Sequence, residues 1–106
     1  MRYFYDPVPW YKTCGVNYKM AEIHCMKCIT MISDMIDAGI PADYLQVFNF
    51  NYDPQKKEIT IKHSQEEPEY ERTLKYIIGD DTVPFEGKVY IIDDIDHRTI
   101  LLAEEY

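Results

Sequence analysis

Residues 20–41, MAEIHCMKCITMISDMIDAGIP, decide the fold class. Cys25, Ile29, Ile32 and Ile36 recur at intervals of four, three and four, the period of one helical face. Cys28, Met31 and Met35 widen that stripe on one side, and Lys27, Thr30, Asp34 and Asp37 fall opposite it. Gly39 stands at a C-cap position, and Pro41 has no amide proton with which to continue a helix. The stretch predicts an amphipathic helix over residues 20–38, about five turns long. Its apolar stripe requires a second layer to cover it.

The period then drops to two. Residues 44–52 put Phe48, Phe50 and Tyr52 on one side, with Asn49 and Asn51 between them. Residues 58–64 alternate Ile59, Ile61 and His63 with Thr60 and Lys62, and residues 72–78 alternate Leu74, Tyr76 and Ile78 with Thr73 and Lys75. Residues 88–92 and 98–103 are two further strands, joined by only a few residues. Upstream, Pro7 and Pro9 keep residues 1–11 as an extended lead-in, and residues 11–19 are expected as a short first strand with a bulge at Gly15. One helix followed by hairpin-connected strands predicts a single α+β domain over residues 1–106. In it, the helix packs on a four- to five-stranded, mainly antiparallel meander, and the other sheet face is left to tyrosines, lysines and acids.

Charge is unevenly placed. Residues 1–57 hold six acidic and six basic side chains, whereas residues 58–106 hold thirteen acidic and five basic ones and carry the whole net charge of −8. Phosphate contacts need Lys and Arg, so direct nucleic-acid binding is not expected. An acidic surface suits a basic protein partner instead, including one whose own nucleic-acid groove is basic. No 18-residue apolar run suggests a membrane span, and the aromatic, proline-broken start is unlike a signal peptide. Three cysteines, an odd number, point to a reducing cytoplasm rather than to a disulfide framework.

Three constellations bear on chemistry. His24-Cys25-Met26-Lys27-Cys28 has a zinc-like spacing, with Cys14, His63 or His97 as further ligands. It falls inside the periodic helix, however, where cysteine serves as a small apolar residue. No metal or other cofactor is therefore expected. Glu66, Glu67, Glu69 and Glu71 surround Pro68 and Tyr70 in a connection, and a solvated acidic loop is the expectation there. Asp93, Asp94 and Asp96 read as a hairpin turn, because Thr99 stands where a calcium loop needs glycine. No phosphate loop, G-x-S-x-G elbow or Ser/His/Asp order is present, so no catalytic residue is assigned.

Three pieces carry a family resemblance. They are Asp43-Tyr44-Leu45-Gln46-Val47-Phe48, then His63-x-Gln65-Glu66-x-Pro68-Glu69-Tyr70, then Val89-Tyr90-Ile91-Ile92-Asp93-Asp94-x-Asp96-His97-x-Thr99 with the ending Leu101–Tyr106. Together they resemble a small family from Firmicutes and their phages, catalogued as domain of unknown function number 960. The family's usual start, a short strand ending in Gly-Val, corresponds to Thr13–Val16 here, and Ile95 stands where the family has glycine. The resemblance implies a mobile-element context, in which small acidic proteins often inhibit host machinery such as RNA-guided nucleases.

The expectation is thus a non-enzymatic binding module. Its contacts would be Glu66, Glu67, Glu69, Glu71, Asp93, Asp94 and Asp96, with Tyr70 and Tyr90 as anchors. The alternatives are a homodimeric structural or regulatory protein, and a metal-dependent hydrolase using His63, His97 and nearby acids.

Overall fold

The computed structural model describes residues 2–106; Met1, the start of the expected lead-in, lies outside them. The elements in chain order are β1 (Trp10–Lys12), α1 (Cys14–Lys19), α2 (Glu22–Asp37), β2 (Leu45–Asp53), β3 (Glu58–Gln65), β4 (Tyr70–Ile77), β5 (Gly87–Asp93), β6 (Arg98–Leu102) and a 3-10 turn at Ala103–Glu105. The class is α+β as expected, but the sheet has six strands in the order β1-β6-β5-β2-β3-β4. It is also mixed, because β1 runs parallel to β6.

Two expectations are corrected. Residues 14–19 form a helix, not a strand. Glycine and asparagine are poor helix formers, so tertiary contacts supply what propensity lacks. The Thr13 hydroxyl accepts from the Val16 amide, the Glu105 carboxylate accepts from the Gly15 amide, and Val16 is fully buried. A Cβ at Gly15 would sit 2.7 Å from that carboxylate, so glycine permits the approach.

The meander is also interrupted. β2, β3 and β4 pair in sequence, but β5 leaves β4 and pairs with β2. Alternation reports which face a residue takes, not which strand lies beside it. Residues 78–86 make the crossing, over three strand spacings or about 14 Å. Ile78 and Phe85 are buried along it, and the Phe85 ring meets Phe50 edge-on at 5.2 Å.

Helix α2 covers the face bearing Phe48, Phe50, Ile59, Ile61, Val89, Ile91, Ile100 and Leu102. Gly39 ends it with φ +89, the left-handed conformation that glycine adopts most easily. The buried stripe is rotated by one position from that expected. His24, Cys28, Met31 and Met35 form its centre, with Cys25 and Ile32 beside them, while Ile29 and Ile36 lie at the rim. A histidine is therefore inside. Its Nε2 meets the Val83 carbonyl at 2.8 Å and must donate, which leaves Nδ1 to accept from the Tyr76 hydroxyl at 2.7 Å. The opposite face carries polar side chains such as Asn49, Thr60, Lys62, Thr73 and Lys75 around half-buried Val47, Tyr90 and Ile92.

The β5–β6 turn closes through the Asp94 amide donating to the His97 carbonyl, and it holds Ile95 at φ +79. A β-branched residue is strained there. Ile95→Gly should raise the unfolding free energy by about 1 kcal/mol, read as a higher urea midpoint at unchanged slope.

Candidate functional site

The antiparallel registers bring the start of β2, the end of β3, the start of β4, the end of β5 and the start of β6 to one end of the sheet. The β3–β4 turn (residues 66–69) and the β5–β6 turn (residues 94–97) therefore leave from that same end. At about 4.8 Å per strand, their centres lie about 14 Å apart. Glu66, Glu67, Glu69, Asp94 and Asp96 are all exposed on these turns. Asp43 and Tyr44 stand between them at the mouth of β2. A shallow hollow of about 150 Å³ opens there, lined by Asp43, Tyr44, Leu45, Val47, Ser64 and Glu66.

A buried hydrogen-bond network anchors this end. The Gln46 amide nitrogen donates to the Asp43 carbonyl at 2.9 Å and to Gln65 Oε1 at 2.7 Å. Gln65 Oε1 also accepts from the Asp43 amide, and its nitrogen donates to the carbonyls of Pro41 and Pro68. Gln46 Oε1, left as an acceptor, takes the Nε2 proton of His63 at 2.6 Å. The Asp43 carboxylate accepts from the amides of Tyr44 and Glu67, which fixes the acidic turn against the β2 mouth. Asp43 was not among the expected contacts, although it opens the first resemblance piece.

His63 is fully buried, stacked on Phe48 with ring centroids 4.5 Å apart and met edge-on by Tyr70 at 5.5 Å. Its Nδ1 has no partner among the described residues. Burial, then the nearby Arg72 charge, lower its pKa to about 4. His63 is thus a core histidine on β3, at least two strands away from His97 in the β5–β6 turn, where His97 lies beside Asp94 and Asp96. The two histidines that the hydrolase alternative would use do not converge. Among the described residues, no group of three or more His, Cys, Asp or Glu is arranged to hold a metal.

Asp93 is corrected as a contact residue, being only 5% exposed. Its carboxylate accepts from the Phe4 amide at 2.6 Å, the Ile95 amide at 2.7 Å and Arg98 Nε at 3.4 Å. Arg98 also donates to the Asp6 carbonyl, and its guanidinium lies 5.3 Å from the ring centres of both Phe4 and Trp10. This buried pair straps the N-terminal segment onto the hairpin.

The remaining expected contacts divide between surfaces. Glu71 is exposed and 3.3 Å from Lys62 on the open face, whereas Tyr70 faces His63 on the covered side. Tyr90 lies on the open face under Tyr106, with centroids 5.3 Å apart. The chain's ending forms a latch. Glu104 pairs with Lys19, and the Glu105 carboxylate accepts from the Thr13 hydroxyl and the amides of Leu102 and Gly15, which lowers its pKa. Cys25 and Cys28 are buried free thiols whose pKa values burial pushes up, and Cys14 is exposed on α1.

A family model described as "Staphylococcal protein of unknown function (DUF960)" matches residues 10–105. The chain belongs to that family. A crystal structure of a protein of unknown function from Enterococcus faecalis has the same fold, with a TM-score of 0.75 at 22% identity, covering 100% of this chain and 97% of that one. No curated protein matches. In this DUF960 fold, the sequence pieces that carried the resemblance are mostly structural. Asp43, Gln46, His63, Gln65 and Pro68 form one network, Asp93 and Arg98 form the strap, and Glu105 forms the latch.

Two measurements separate the structural from the exposed acids and test the buried histidine. Asp93→Asn should cost about 3 kcal/mol by leaving Arg98 buried without its counter-charge, and should expose residues 2–9 to proteolysis. Asp94→Asn should change stability by less than about 0.5 kcal/mol. His63 stays neutral in the fold down to about pH 4 but takes a proton near pH 6.5 when unfolded. Its contribution is complete above pH 6.5 and is lost as pH falls toward 4, by up to about 3 kcal/mol. Urea unfolding across that range should show a shallower acid slope, by one proton, in His63→Gln.

Proposed function

We propose that this chain is a non-enzymatic binding module whose acidic sheet end docks on a basic surface of a protein partner. One observation carries the proposal: two acidic turns far apart in sequence share one end of the sheet. Among the described residues no Lys or Arg pairs with Glu66, Glu67, Glu69, Asp94 or Asp96, and His97 is the basic group beside the last two. Exposed like charges clustered this way raise a steering field and cost little to leave in water. Tyr44, exposed between the turns, offers an aromatic anchor.

The narrower form of the proposal names the partner class. A groove that holds a nucleic-acid backbone presents Lys and Arg at phosphate positions, and carboxylates on two rigid turns are suited to occupying it. A phage or mobile-element inhibitor that masks the groove of a host defence nuclease, in the manner of anti-CRISPR proteins, fits that chemistry and the family's Firmicute setting. A second reading, self-association, is favoured by the free β4 edge.

The test is capture from a Firmicute lysate by wild type and by the E66K/E67K/E69K variant, at ~0.1 M and ~0.5 M salt. Wild type should retain a basic, nucleic-acid-binding protein at low salt only, and the variant should not retain it. Capture that is indifferent to both salt and charge reversal overturns the reading.

A further inference from the structure

Strand β4 is one edge of the sheet, with eight residues paired to β3 throughout and no bulge or proline. An edge this long and regular is a template for another strand unless something blocks it. The backbone shows which groups are free. Ile78 N donates to the Lys57 carbonyl, so that opposed pair is hydrogen-bonded, and antiparallel ladders alternate. The bonded pairs are therefore Ile59–Tyr76, Ile61–Leu74, His63–Arg72 and Gln65–Tyr70. Glu71, Thr73, Lys75 and Ile77 consequently turn their N–H and C=O groups outward, away from β3.

We infer that this edge pairs antiparallel with β4 of a second copy, in the register centred on Thr73, to give one continuous twelve-stranded sheet. Two-fold symmetry with outward groups facing each other allows a register centred on any residue of β4, the axis passing through a hydrogen-bonded pair at odd-numbered residues and a non-hydrogen-bonded pair at even-numbered ones. Centres at Tyr70, Tyr76 or Ile77 leave most of the strand unpaired. Centring on Arg72 sets two arginines opposite each other, and centring on Leu74 sets Glu71 opposite Ile77 and Thr73 opposite Lys75, with no ion pair. Centring on Glu71 sets two glutamates opposite each other, and centring on Lys75 sets two lysines opposite. Both are unfavourable. Centring on Thr73 sets Thr73 against Thr73 and places Glu71 opposite Lys75 twice, on the open face. Glu71 already lies 3.3 Å from Lys62, so each end becomes a Lys-Glu-Lys cluster. On the covered face the same register sets Tyr70 opposite Tyr76 and Arg72 opposite Leu74. Three hydrogen-bonded pairs exchange about six backbone bonds. The joint uses Tyr70 and Glu71 but leaves residues 66, 67, 69, 94 and 96 free, so it stands or falls separately from the proposed docking surface.

Sedimentation equilibrium at physiological ionic strength tests it. Wild type should show twice the chain mass. Thr73→Pro removes an N–H that β3 does not use, and edge strands tolerate proline at such positions. That variant should be a folded monomer by circular dichroism. E71K should also be a monomer, because it sets like charges opposite, and the swap E71K/K75E should restore the dimer. A monomeric wild type, or a Thr73→Pro protein that dimerises as tightly as wild type, overturns the interface. A swap that stays monomeric overturns the register.

Discussion

Pairing of β5 with β2 is the constraint on which the rest of this fold depends. If β5 had continued the meander beside β4, both acidic turns would lie on the same side of the β2 mouth, and β4 would be an interior strand. Because residues 78–86 carry the chain across, the second hairpin lies on the far side of β2. The mouth of β2 is then flanked by both acidic turns, and β4 is left with an unpaired row of backbone groups. The crossing is held by burial of Ile78 and Phe85 and by the Val83 carbonyl, which takes the His24 proton from inside the helix.

Carboxylates in this protein do two kinds of work, and residue type does not distinguish them. Asp93, Asp43 and Glu105 spend their oxygens on backbone amides, hydroxyls and a guanidinium, tying together segments 24 to 92 residues apart. Glu66, Glu67 and Glu69 are left exposed without a basic partner among the described residues, and Asp94 and Asp96 are exposed with only His97 beside them. The first group makes the acidic end rigid by fixing the turns and the N-terminal segment. The second group leaves that end charged. A rigid surface loses less conformational entropy when a partner covers it, so the buried polar network matters to the exposed one.

Much was legible in the primary structure wherever the governing chemistry is local. The helix, its glycine stop and the alternation of five strands follow from side-chain period and turn residues close in sequence. The exposed turns at 66–69 and 94–96 were legible for the same reason, since Asp, Glu and Pro shape turns through their own backbone. Asp93 was misjudged because its burial depends on Arg98 and on Phe4, whose amide it accepts from 89 positions away. Helix α1 was misjudged because a glutamate at the other end of the chain stabilises its first turn.

The sequence by itself thus determined the α+β class, the covered face of each strand and the sign of the charge on its second half. Those properties depend on hydrophobic period and composition, which are additive along the chain. Tertiary structure alone decided strand order, that His24 faces the core, which carboxylates hold other segments and which stay exposed, and that β4 is left at an edge. Each of these is a question of neighbours, and β-strand alternation carries no record of which neighbour a strand will take.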